Sequence, residues 1–313
     1  MDLLLPQDIK ALLSKYETRP SKGLGQNFLI DKKVLEKIID CAELKSNDFV
    51  LEVGPGLGTL TQELAKRAGS VVAIEKDKTM IEILGETLKG FNNIKIIHSD
   101  ILKSNILASP SLRGVATTKQ SRTYEIAASP EAPRNDEIKK YKVVANIPYY
   151  LTSPLIRLLL ENDPPAGGLP ETIILMIQKE VAERICSKPG KMSLLAVSVQ
   201  FYAEAKIVSL VPKNCFWPAP KVDSAIIKIT PRGPTSRPTG GQTSPDSTSP
   251  DLFFKVVKAG FSHPRKQLLG NLSEALELSK EKTFEWLSKN NISPTQRAET
   301  LSVENWKNLA NSL

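Results

Sequence analysis

The chain is predicted to be an α/β protein, an open sheet flanked by helices, followed by a small all-helical domain. Three observations predict this. Short β-branched runs alternate with helical patterns over the first two thirds of the sequence. One run, residues 49–53, passes directly into Gly54-Pro55-Gly56-Leu57-Gly58, and another, 143–145, stops at Asn146-Ile147-Pro148-Tyr149-Tyr150. Beyond about residue 250 the strand signals cease and only helical spacing remains.

Composition sets the limits. At 313 residues, one large domain plus a smaller one is expected. The 41% apolar and 24% charged residues are ordinary for a globular protein, whereas a formal charge of +8 favours a polyanionic partner. Cys41, Cys186 and Cys215 are too few and too scattered for a disulfide framework or a zinc site. His98 and His263 are the only histidines, so no metal is expected and a Ser-His-Asp triad has little to build on. No apolar run reaches the ~20 residues of a membrane span, and Arg157 interrupts the nearest one. Asp2, Pro6 and Asp8 make the start unlike a signal or transit peptide. A cytoplasmic bacterial protein with no membrane contact is therefore expected.

In chain order, residues 3–16 form an amphipathic helix. Residues 19–29 are a basic arm in which Gly23 and Gly25 permit unusual backbone angles, suiting it equally to fold over a ligand or to serve as a linker. Asp31 is placed to cap a helix over 32–42. The strand at 49–53, its glycine turn and a helix to residue 68 follow. Residues 71–74 form a strand ending in Glu75, 94–97 one ending in His98-Ser99-Asp100, and 143–145 one delivering Asn146 ahead of a helix over 151–160. Residues 103–140, rich in Ser, Thr, Ala and Pro, form a surface insertion without identifiable chemistry. A strand at 171–176, helices at 178–186 and 192–203, and strands at 205–210 and 222–229 complete the large domain. The loop between the last two strands displays Phe216 and Trp217 beside Lys213 and Lys221, either as an apolar plug or as a surface for stacking bases. A Pro/Gly/Ser/Thr linker spans 232–250. Helices over 252–261, 267–278, 283–289 and 303–313 then make a domain of about 60 residues. The domains are thus 1–231 and 251–313. Lys255, Lys258, Arg265 and Lys266 are a solvated face or a phosphate contact.

Strand, glycine turn and helix together form a nucleotide-cofactor arrangement, because the missing Cβ atoms let the backbone approach a ligand. Glu75, about 20 positions on, is placed to accept from ribose hydroxyls. To that point a nicotinamide dehydrogenase fits nearly as well. Asp100, suited to accept from the exocyclic amine of an adenine, separates the two. The ordered set Gly54, Gly56, Glu75, Asp100 and Asn146 at successive strand ends is similar to the S-adenosylmethionine site of a Rossmann-like class I methyltransferase.

Several motifs extend the similarity. They are Gly25-Gln26-Asn27-Phe28-Leu29, Leu51 to Gly58, Asn146-Ile147-Pro148-Tyr149, Gln178-Lys179-Glu180-Val181, Pro218 to Ala225, and Pro294 with Arg297-Ala298-Glu299. On these, over nearly the whole chain outside the two insertions, the sequence resembles the ribosomal RNA adenine N6,N6-dimethyltransferases of the KsgA/RsmA type. The resemblance implies cofactor contacts at Asn27, Leu29, Gly54, Glu75, Asp100 and Asn146. It also implies a substrate, two neighbouring adenines in the 3′-terminal hairpin of small-subunit ribosomal RNA, each methylated twice. The immature small ribosomal subunit is the expected partner and a monomer the expected form. Tyr150, His263-Pro264-Arg265 and the long insertion after Asp100 depart from the family pattern. For such a reaction, the Asn146 side-chain oxygen and the Ile147 carbonyl are expected to accept the two N6 hydrogens. Pro148 holds the turn, and Tyr149 and Phe216 flank the extruded base. Two alternatives share the core motifs: methylation of large-subunit RNA, as in erythromycin-resistance relatives, and a mainly non-catalytic ribosome-assembly role.

Overall fold

A computed structural model describes residues 1–103, 140–161, 168–232 and 248–313. The predicted insertion and linker lie almost wholly outside these. The elements are α1 (Pro6–Lys15), β1 (Phe28–Leu29), α2 (Lys32–Ala42), β2 (Phe49–Val53), α3 (Thr59–Ala65), β3 (Ser70–Glu75), α4 (Lys78–Thr87), β4 (Ile94–His98), β5 (Tyr141–Asn146), α5 (Thr152–Glu161), β6 (Thr172–Gln178), α6 (Lys179–Ile185), α7 (Leu194–Tyr202), β7 (Ala203–Val211), β8 (Phe216–Trp217), β9 (Ser224–Pro231), α8 (Pro250–Gly260), α9 (Leu268–Ala275), α10 (Lys280–Lys289) and α11 (Val303–Asn311). Among the described residues no helix is long and apolar enough to cross a membrane.

The chain divides into two compact units, residues 1–182 with 206–231, and residues 183–205 with 232–313. A seven-stranded sheet in the order β4-β3-β2-β5-β6-β9-β7 organises the first. Strands β4 to β6 run parallel and β9 returns antiparallel to β6. The central strands are near-continuous apolar runs because a parallel sheet is covered on both faces, and Val71, Val72, Val143, Val144, Ile173 and Ile174 are fully buried.

Helix α2 shows how local chemistry sets an element. Asp31 accepts from the Val34 N–H at 3.0 Å, satisfying a free donor of the first turn. Val34, Leu35, Ile38, Ile39 and Ala42 recur at helical spacing and are buried. The helix stops where Glu43 turns left-handed, at φ 48°. Nearby, buried Lys142 pairs with Asp48 at 2.9 Å and donates to the Ala42 and Glu43 carbonyls, so its charge does not go unmatched.

Aromatic packing and capping build the second unit. Phe201 stacks on Phe253 with ring centres 4.0 Å apart, and Tyr202 lies 5.8 Å from Phe254. Those contacts explain why residues 183–205 group with the helices, whereas a division along the linear sequence had put them with the sheet. Ser302 and Asn305 close a capping box at the start of α11. Trp306, fully buried, fills the space beside Gly260.

Candidate active site

Four strand ends and an arm enclose one cavity of about 210 Å³ in the first unit. Strand β2 runs into Gly54, β3 ends at Glu75, β4 leads to Ser99 and Asp100, and β5 ends at Asn146. The arm contributes residues 24–29. Every site residue singled out from the sequence borders it: Asn27, Leu29, Gly54, Gly56, Glu75, Asp100, Asn146, Ile147, Pro148, Tyr149 and Phe216.

The arm is held by pairing that the sequence does not advertise. Phe28 lies opposite Trp217 and Leu29 opposite Phe216 in a two-stranded antiparallel clip, extended by a 2.9 Å bond from Ile30 N–H to the Cys215 carbonyl. Gly25 sits at φ +63°, and a Cβ there would lie 3.2 Å from Pro148 Cβ, so the arm rests directly on the turn after Asn146. Gly56, at φ +58°, leaves the space a Cβ would take, 3.3 Å from the Phe28 ring.

Three carboxyl groups meet the cavity in different states. Glu75 accepts backbone N–H bonds from Lys76 at 2.7 Å, Asp77 at 2.8 Å and Gly56 at 3.3 Å. Its burial outweighs those donors and lifts its pKa above the ordinary value. Asp100 shows the reverse. Burial opposes ionisation there, but the Lys76 ammonium at 3.0 Å and the Leu102 N–H at 3.1 Å hold the carboxyl below its ordinary value. Glu52, on β2, is 1% exposed, and burial pushes it up to about 8, with Thr61 opposing and Glu75 reinforcing the rise. Thr61 Oγ1 and Glu52 Oε2 each lack a hydrogen-bond partner of ordinary geometry among the described residues.

At the turn, Asn146 Nδ2 donates to the Asn27 carbonyl at 3.4 Å, and the amide oxygen has no hydrogen-bond partner among the described residues. The Leu151 N–H bonds the Pro148 carbonyl at 2.9 Å, and Thr152 Oγ1 bonds the Tyr149 carbonyl at 3.0 Å, fixing a single 3-10 turn over Tyr149–Leu151. Tyr149 Oη is 2.8 Å from Ser224 Oγ, and burial raises its pKa. Among the described residues no three His, Cys, Asp or Glu side chains gather as metal ligands would. His98 is exposed, with Nε2 3.1 Å from the Lys76 carbonyl.

Sequence reasoning quoted Phe28, Glu52 and Ser224 within motifs without giving them individual roles, and passed over Lys76. Glu52 carried a usable signal, an acid inside an otherwise apolar strand. The positions of the others depend on pairing and packing between distant segments.

A family model described as ribosomal RNA adenine dimethylase matches residues 18–313. The chain belongs to the ribosomal RNA adenine dimethylase family. It is 43% identical over 300 residues to ribosomal RNA small subunit methyltransferase A of Dehalococcoides mccartyi (strain CBDB1), covering 96% of this chain and 90% of that relative. The protein of the same name from Geobacillus thermodenitrificans (strain NG80-2) is 38% identical over 317 residues, covering 100% of this chain and 97% of the relative. Among solved structures, a dimethyladenosine transferase from Plasmodium falciparum superposes with a TM-score of 0.65 at 26% identity, over 90% of this chain and 95% of that one. The 23S rRNA methyltransferase ErmE does so at 0.64 and 26%, over 92% and 99%. As a ribosomal RNA adenine dimethylase, the chain is a class I methyltransferase dependent on S-adenosylmethionine.

Proposed function

We propose that this chain transfers methyl groups from S-adenosylmethionine to N6 of two neighbouring adenines in the 3′-terminal hairpin of small-subunit ribosomal RNA, giving N6,N6-dimethyladenosines. The observation that carries the reading is the Asn146–Tyr149 turn, with its free amide oxygen, standing in one cavity with Glu75, Asp100 and the glycine turn.

The residues present fit the cofactor. A cradle kept open at Gly54 and Gly56, an acceptor carboxylate at Glu75 and another at Asp100 match a nucleoside with ribose hydroxyls and an exocyclic amine. Asn27 and Leu29 would close the arm over it. When bound, S-adenosylmethionine supplies an electrophilic methyl group.

The chain's own work is orientation. An adenine amine is a poor nucleophile because its lone pair is delocalised into the ring, and no side chain in the cavity is basic enough to deprotonate it. Asn146 Oδ1 and the Ile147 carbonyl accept hydrogen bonds from the two N6 hydrogens, drawing the nitrogen towards tetrahedral geometry and aiming its lone pair. Transfer would leave S-adenosylhomocysteine and a positively charged, strongly acidic N6 that loses its proton to water. Pro148 fixes the turn. Tyr149, anchored through Ser224, stacks on a base withdrawn from its helix, and Phe216, buried at 3% exposure, bounds the far side as a fixed wall. For the second transfer one hydrogen remains, so the pocket also accommodates the first methyl group.

The partner is small-subunit RNA within an immature small ribosomal subunit, met by a single copy of the chain, and the charge of +8 supports its polyanionic character. ErmE supports a second reading, methylation of 23S RNA, although at 26% identity against 38–43% for the small-subunit relatives. One experiment tests both. Small- and large-subunit RNA from deletion cells is assayed for dimethyladenosine by mass spectrometry after complementation with the wild type or Asn146→Ala. The wild type should restore the mark in the small-subunit hairpin alone. Purified Asn146→Ala should lose at least a hundredfold in methyl transfer while binding S-adenosylhomocysteine with much less change. Near-normal turnover by that variant would refute the role of the amide.

A further inference from the structure

Tyr149 and Tyr150 are consecutive but live in different surroundings. Tyr149 is tethered to Ser224, whereas Tyr150 is 53% exposed and its hydroxyl has no hydrogen-bond partner among the described residues. Both line the cavity, and Tyr150 stands on a turn whose backbone is fixed by the Leu151 and Thr152 bonds. A large ring held half in water on a rigid support gains little for folding, but it is a ready platform for another flat ring. Lys76, with a side chain 51% exposed and paired with Asp100 at 3.0 Å, lines the same cavity, so a cationic group also stands at this site.

Resting on the proposed methylation of adjacent adenines, the geometry points to a second nucleotide subsite. We propose that Tyr150 stacks on the nucleotide next to the target adenine, at a cavity that Lys76 also lines. Withdrawing one base leaves its neighbour with a bare face. The single Asn146–Ile147 acceptor pair holds one amine at a time, so the neighbour waits outside the cavity. Tyr150, at the rim and one residue beyond the base-stacking Tyr149, takes that face, and its mixture of ring and cation suits unpaired RNA of any base.

The test uses small ribosomal subunits bearing the intact pair of adenosines, or with the neighbour of the target replaced by an abasic nucleotide. Wild type, Tyr150→Phe and Tyr150→Ala are compared for KM and kcat of the first methyl transfer, and S-adenosylhomocysteine affinity reports an intact cofactor site. On intact RNA, Tyr150→Ala should raise KM roughly tenfold, with kcat and S-adenosylhomocysteine affinity nearly unchanged, and Tyr150→Phe should behave as wild type. The abasic substrate should cost the wild type a similar factor and Tyr150→Ala nothing further. Equal losses in wild type and Tyr150→Ala on the abasic substrate, or a Tyr150→Phe defect matching that of Ala, would overturn the subsite while leaving adenine methylation standing. Absence of transfer by the wild type to intact RNA would remove both.

Discussion

Replacing Glu52 with glutamine should flatten the pH dependence of stability. In the unfolded chain the carboxyl ionises near 4.5, while burial in β2 pushes it up to about 8 in the fold. Below pH 4.5 both states hold the proton and the full stability is present. Between 4.5 and 8 the unfolded chain releases its proton and the folded chain keeps it, so stability falls by about 1.4 kcal/mol per pH unit. Over that window the loss is at most about 5 kcal/mol, and water reaching the cavity reduces it. Glutamine has the same shape and no titration. Glu75 is also raised, but it acts in both proteins and largely drops out of their difference. Urea denaturation of wild type and Glu52→Gln at pH 5, 6, 7 and 8 measures the effect. The variant should gain on the wild type steadily as pH rises, overtaking it by pH 8 with an unchanged dependence on denaturant. Parallel stability profiles would show that Glu52 ionises normally in the fold and would refute the reasoning.

Two further outcomes follow from contacts already described. Glu75→Gln removes a charged acceptor and turns an amide towards three backbone N–H donors, so the affinity for S-adenosylhomocysteine should fall by about ten- to a hundredfold in titration calorimetry. Gly260→Ala places a Cβ 2.2 Å from the buried Trp306 ring, and thermal melting of the second unit should show a loss of about 1–3 kcal/mol.

The sheet was readable because buried parallel strands announce themselves as apolar runs, and the capped start of α2 because Asp31 precedes its apolar stripe. The cavity lining was readable for a related reason. In an open sheet, strand ends gather along one edge, so Glu75, Asp100 and Asn146, picked out in order from the sequence, border the same cavity. What escaped depends on distance. A two-residue strand has no periodicity to detect, so the partnership of Phe28 with Trp217 left no trace in either segment. Lys76 is an ordinary basic residue until the fold brings Asp100 beside it. The apolar character of α7 is equally at home against a sheet or among helices, and only the Phe201 and Phe253 rings decide between them.

The clip between β1 and β8 bears on how the molecule is made. Its halves are roughly 190 residues apart in the chain, a closure that costs conformational entropy and gives nothing back until both ends are present. A polypeptide emerging from the ribosome could lay down the first parallel strands early, yet the pocket would lack one wall until Phe216 had been synthesised. The complete cavity therefore closes late in synthesis, well after the glycine turn is in place.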